Sequence, residues 1–197
     1  MEESDLVFEF DEQWVVKAYD KHPYYRLMSG LGLKGVDFIG IYQNRFLVLF
    51  EVKNYRVRYK DYEPEVDVEN LQNTLHRKLE DTLMAIRVIS RHLQNKWLFR
   101  QLQPLFEWLS PKWLKQNAWA FWSAVQRIVD SGEQQIIYVA WLDFSEERAE
   151  VGKTIRQNLH KTLGAQFGEG GPQIVMAHLE DPPFPAHLSI RLAAPKN

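Results

Sequence analysis

The sequence predicts an α/β fold in which a mixed central sheet is flanked by helices and interrupted by a helical insertion. Three observations carry that prediction. Residues 36–42 (VDFIGIY) and 46–53 (FLVLFEVK) are β-branched and aromatic runs of strand length, joined by the polar turn Gln43-Asn44-Arg45. Residues 67–95 place apolar side chains at spacings of three and four, the period of a helix with one buried face. Residues 134–144 (QQIIYVAWLDF) again read as a strand, which returns the chain to the central sheet beside the hairpin.

Taken in order, residues 6–20 read as a helix, with Phe8, Val15 and Tyr19 at helical spacing and Asp11 near the start. Glu12, four after Phe8 and three before Val15, then falls on the apolar face, either as a boundary carboxylate or as a site acid. His22-Pro23 ends this helix and Tyr24–Met28 reads as a first strand. The glycine-bearing link 29–35 lacks the spacing of a phosphate-binding loop. Beyond the hairpin, Asn54 to Lys60 alternates cations with aromatics. Tyr55, Arg56, Arg58 and Lys60 are therefore candidates for gripping a nucleic acid, the competing reading being a solvated strand extension. The acids that follow, from Asp61 to Glu69, suit a loop and a helix start.

From 97 to 130 the pattern stays helical but turns aromatic, with five of the chain's tryptophans and with Pro104 and Pro111 as breaks. Residues 60–132 thus read as a helical insertion within one domain spanning 1–197. The tryptophans are core or, failing that, anchors for a homodimer or another protein partner. A helix from Ser145 to about 163 has a partly basic face (Lys153, Arg156, His160, Lys161), and strands at 173–179 and 188–192 close the chain.

Composition narrows the function. A net charge of −2, from 24 basic and 26 acidic residues, gives no global footprint for nucleic acid, so any such contact needs a local basic patch. The absence of cysteine excludes disulfides, thiolate metal sites and cysteine nucleophiles. An acidic opening and the lack of a long apolar run predict a cytoplasmic protein with no membrane segment. No two of the six histidines stand at the spacing of a zinc-protease helix, and no serine sits in a nucleophile elbow.

The informative residues are charges inside the hairpin. Alternation puts Glu51 and Lys53 on one side of their strand. If the loop is three residues long, Tyr42 pairs with Phe46 and Asp37 falls opposite Glu51, with Cβ atoms roughly 5 Å apart. A two-residue turn would instead send the acids to different faces, unless a bulge near Asp37 restores them. Ile39, Ile41, Leu47 and Leu49 lie on one face and Phe38, Val48, Phe50 and Val52 on the other, so both faces are covered. Opposed acids at the end of such strands need a cation between them. Magnesium, which takes carboxylate and water oxygens, would serve, and Lys53 would face the attacking water or a phosphate.

Asp37 followed by Glu51 and Lys53 resembles the signature of the PD-(D/E)xK, or restriction-endonuclease-like, nuclease superfamily, with Val36 in place of the proline. The recognisable motif covers about the first third of the chain. The resemblance implies a core of helix, three strands, helix and strand, and a deoxyribonuclease dependent on Mg2+, for which Mn2+ substitutes. It further implies that Asp37, Glu51 and the Val52 carbonyl bind the metal, that Lys53 acts on the water, and that Glu12 bridges to a metal-bound water. DNA is the expected partner. The alternative is a binding or assembly subunit of the same fold that works through the tryptophan-rich segment without turnover.

Overall fold

A computed structural model describes residues 1–56, 66–106 and 111–194. Strand β1 (Glu2–Glu3) leads into β2 (Leu6–Phe10), β3 (Trp14–Ala18) and helix α1 (Pro23–Ser29). The hairpin is β4 (Phe38–Tyr42) and β5 (Phe46–Asn54), followed by α2 (Val68–Gln94), α3 (Trp97–Phe106), α4 (Pro111–Gln116) and α5 (Ala118–Asp130). Strand β6 (Ile136–Asp143), α6 (Ala149–Phe167), β7 (Gln173–Ala177) and β8 (Leu188–Leu192) complete the order.

Five strands form one sheet in the order β3-β4-β5-β6-β7, antiparallel across the first three and parallel from β5 to β7. The sheet is mixed and flanked by helices, as the sequence predicts. Its two faces are separate cores. Ile39, Ile41, Leu47 and Leu49 pack under α2, α5 and α6. Phe38, Val48, Phe50 and Val52 pack on the opposite side with Leu6, Phe8 and Leu188. Those last residues belong to a second, three-stranded sheet, β1-β2-β8, which covers the face without helices.

The hairpin takes the three-residue register: Tyr42 pairs with Phe46 and Phe38 with Phe50. The turn is tighter than Asn44 alone would make it. Gln43 (φ 51°) and Asn44 (φ 54°) are both left-handed, and the Arg45 N–H closes on the Tyr42 carbonyl at 3.0 Å. A left-handed non-glycine residue costs about 1–2 kcal/mol. Tertiary contacts offset it: Gln43 Nε2 donates to Gln13 Oε1 at 2.6 Å, and Arg127 donates to Asn44 Oδ1 at 2.8 Å.

Two expectations near the N-terminus are corrected. Residues 6–10 and 14–18 are the strands β2 and β3: Leu6 and Phe8 give β2 a period-two burial, and Trp14 and Val15 bury the start of β3 on both faces. Tyr24–Met28 lie in helix α1, opened by Pro23 in its first turn and by His22, whose ring accepts from the Tyr24 N–H. The first strand of the central sheet is therefore β3. Pro104 lies within α3 instead of breaking it, and Pro111 opens α4.

Helix α2 matches its reading: Asp67 caps it by accepting from the Asn70 N–H, and Leu71, Leu75, Leu79, Leu83, Ile86, Ile89 and Leu93 are buried. Among the described residues no helix is long and apolar enough to cross a membrane.

Candidate active site

The site lies where β4 begins and β5 ends, on the helix-covered face. Asp37 lies one residue before the first β4–β5 pair, Phe38–Phe50: its N–H donates to that same Phe50 carbonyl at 2.9 Å, and its carbonyl accepts from the Tyr19 N–H at 2.8 Å. The regular three-residue register would set it opposite Glu51; the bond to Phe50 instead offsets it by one residue, the bulge near Asp37 that the sequence left open. Its Oδ2 accepts the Val52 N–H at 2.7 Å, which ties the side chain of one strand to the backbone of the next. Gly35, just upstream, is required by packing, since a Cβ there would collide with the Tyr25 ring of α1.

Glu51 is fully buried. In the parallel ladder its neighbour is Ala140, whose small side chain leaves space on that face. Lys53 Nζ reaches Glu51 Oε1 at 2.9 Å, on the same side, as alternation predicts. The cation between the acids comes from α2. Lys78 Nζ donates to both Glu51 oxygens at 2.7 Å and stands 3.9 Å from Asp37 Oδ1. Tyr138 closes the floor, its hydroxyl donating to the Leu75 carbonyl at 3.2 Å.

Helix α2 is fixed against the acids by two more side chains. The buried Thr82 Oγ1 accepts the Val36 N–H at 3.1 Å, and Asp81 Oδ2 accepts the Lys34 N–H at 2.8 Å. Residues 78, 81 and 82 of one helix thus hold the segment 34–37.

Burial pushes the Glu51 carboxyl above the ordinary range, and Asp37 adds to it, while Lys78 and Lys53 pull the other way without cancelling the shift. Asp37 is likewise raised by burial against the opposing pull of Lys78, the Val52 N–H and Lys53. For Lys53, burial lowers the ammonium, but Glu51 and Asp37 outweigh it and the net shift is upward. The site is therefore a strained pair of acids beside two lysines. Glu3 and Asp20 also lie within electrostatic reach: burial and then both Asp37 and Asp20 raise Glu3.

Of the sequence candidates, Asp37, Glu51 and Lys53 come together, with Val52 between the latter two. Glu12 does not join them. It is exposed in the turn before β3, whose Trp14 pairs with Tyr42 at the far end of β4. The four steps from Tyr42 back to Phe38 span about 13 Å at ordinary strand rise. Glu12 was placed by a helix that does not form.

Tyr55 stacks on Phe144 (centroids 5.1 Å apart, planes at 21°) and is half-buried against the helix-side core. Arg56 donates through Nε to Asp143 Oδ2 at 2.6 Å, and Asp143 is 1 % exposed. Both are thus engaged within the fold. Arg58 and Lys60 lie outside the described residues. On α6, Lys153, Arg156 and His160 line a cavity of about 710 Å³ along β7, shared with Glu150, Glu180 and Asp181. That cavity is mixed in charge and two strands from Glu51.

Lys78 is the residue that sequence reasoning missed, although a signal was present. Leu71, Leu75, Lys78, Thr82 and Ala85 follow alternating steps of four and three, and the other four are buried. A lysine on that stripe requires a buried anion.

Comparison of the chain with protein-family models, with curated proteins and with solved structures returns no match.

Proposed function

We propose that this protein is a metal-dependent nuclease that hydrolyses phosphodiester bonds in DNA on a restriction-endonuclease-like core. The observation that carries the reading is the convergence of Asp37, Glu51 and Lys53 at one end of central strands covered on both faces. Buried like charges are costly, and a cost retained at a strand end marks a site of use. Topology adds support: β3-β4-β5 is an antiparallel meander, and the chain then passes through helices to β6, parallel to β5. The family core has that order of strands. Its leading helix has no counterpart here, since the hairpin β1-β2 precedes β3.

The donor set fits a magnesium ion, with manganese as substitute. Two carboxylates converge on one cationic position, and burial leaves both in want of positive charge. Asp37, Glu51 and the Val52 carbonyl would hold it. Among the described residues no group of three or more acidic or histidine side chains could hold a metal, so water and phosphate oxygens would complete the shell. When bound, the ion supplies a Lewis acid and lowers the pKa of a water. Lys53, about one-third exposed, is the group positioned to orient that water or to meet the phosphate. Glu12 takes no part.

The test is cleavage of supercoiled, linear and single-stranded DNA by the purified chain with Mg2+ or Mn2+. The wild type should cut, and Lys53→Met should not. No cleavage of any substrate, or cleavage by the Lys53→Met protein, ends the reading.

A second reading, a binding or assembly subunit acting through 97–130, is favoured by one observation. Trp97, Leu98 and Leu102 are exposed along α3, whereas Trp122 is buried in the core. A stable dimer by light scattering, combined with no response to Mn2+, would select it.

A further inference from the structure

Resting on the nuclease reading above, we infer that Lys78 is an internal stand-in for the divalent cation, whose ammonium must leave the two carboxylates before a metal ion binds. Its Nζ occupies the point on which both acids converge, 2.7 Å from each Glu51 oxygen and 3.9 Å from Asp37 Oδ1. Magnesium takes its oxygens at about 2.0–2.1 Å. An ion so bound to Glu51 would lie within a few ångströms of the ammonium, and two cations repel strongly at such distance in a buried site.

Lys53 is not equivalent. It reaches one oxygen of Glu51 from the solvent side, with its side chain 34 % exposed. Lys78 approaches from under α2, with 16 % of its side chain exposed, and a flexible four-carbon stem gives it a route outward. The helix need not move with it, because Thr82 and Asp81 keep α2 fixed to residues 34–36. Metal affinity is then the outcome of a competition: the ion must offer the acids more than the ammonium does. The same contact lets the metal-free chain fold around two neighbouring carboxylates.

The experiment compares the full-length wild type, Lys78→Gln and Lys78→Met by thermal unfolding and by calorimetric titration with MnCl2. Lys78→Gln should bind Mn2+ about tenfold more tightly than the wild type, the scale on which close charge pairs act. Mn2+ should also raise its Tm further, and adding Glu51→Gln should remove the response. If Lys78→Met does not fold alone, recovery of cooperative unfolding in Mn2+ is the expected result, and no recovery counts against the inference. A Lys78→Gln protein that binds Mn2+ no more tightly than a responsive wild type overturns the role of Lys78 and leaves the nuclease reading standing. Absence of any Mn2+ response in all three proteins overturns both.

Discussion

Asp37 and Glu51 meet at the same end of the hairpin, both facing Lys78, yet their carboxylates are held in different ways. Asp37 is locked to the backbone by the Val52 N–H at 2.7 Å, whereas Glu51 is held by two lysines. One acid is built into the sheet and the other depends on side chains from elsewhere. The distinction decides what each substitution should do.

Glu51→Gln should stabilise the metal-free protein at neutral pH while ending activity. Burial and Asp37 raise its folded-state pKa despite the lysines, so the folded form favours the protonated acid. A raised folded pKa contributes stability that is complete below the unfolded value, about 4.3, and is lost as pH rises through the folded one. Wild type and Glu51→Gln should therefore unfold alike below about pH 4 and diverge above it. A higher Tm for Glu51→Gln than for the wild type is expected at pH 7, with the difference closing as the pH falls. A lower Tm for Glu51→Gln at pH 7 would contradict the electrostatic description.

Asp37→Asn and Asp37→Ala should both abolish cleavage, but only the second should cost stability. Asparagine keeps an oxygen for the Val52 N–H, and alanine leaves that donor without its acceptor. A buried donor so orphaned costs about 1–3 kcal/mol. Chemical denaturation of the two variants measures the difference; equal stabilities would show that the bond carries no weight.

Thr82→Val should weaken the site from a distance. It preserves shape but removes the buried Oγ1 that accepts the Val36 N–H beside Asp37. The expected loss is about 1–3 kcal/mol in stability, with reduced cleavage that Thr82→Ser restores. Full activity in Thr82→Val would mean that α2 does not position Asp37.

Arg56→Ala separates a structural role from substrate contact. Asp143 is almost completely buried and bonded to the Arg56 guanidinium, and removal of one partner from a buried pair costs about 3–5 kcal/mol. Unfolding should show that loss, and Asp143→Asn combined with Arg56→Ala should recover part of it. A stable Arg56→Ala protein with weakened DNA binding would return Arg56 to the interface.

The hairpin was legible because 43 to 45 is a short polar loop between two apolar runs of strand length, and a three-residue loop pairs Tyr42 with Phe46. Residues 6–20 misled because Phe8, Val15 and Tyr19 fit a helical period by chance. The better signals were the alternation in Leu6-Val7-Phe8-Glu9-Phe10 and the β-branched pair Val15-Val16, either side of the polar turn at 11–13. With the helix went Glu12, since a residue's place in a site depends on the element that carries it. Pro23 after a capping His22 was a helix start read as a helix stop. The engagement of Arg56 by Asp143 spans 87 positions, and nothing local encodes it. Lys78 was visible as a charge on a buried stripe, but its partner, Glu51, is evident only once α2 lies over β5.

The most direct measurement is a crystal structure of the chain soaked in Mn2+, read by anomalous scattering. The expected result is a peak between the carboxylates of Asp37 and Glu51, with Lys78 turned away from both. A well-ordered site that shows no peak there at saturating Mn2+, with Lys78 still on Glu51, would contradict the metal-dependent nuclease.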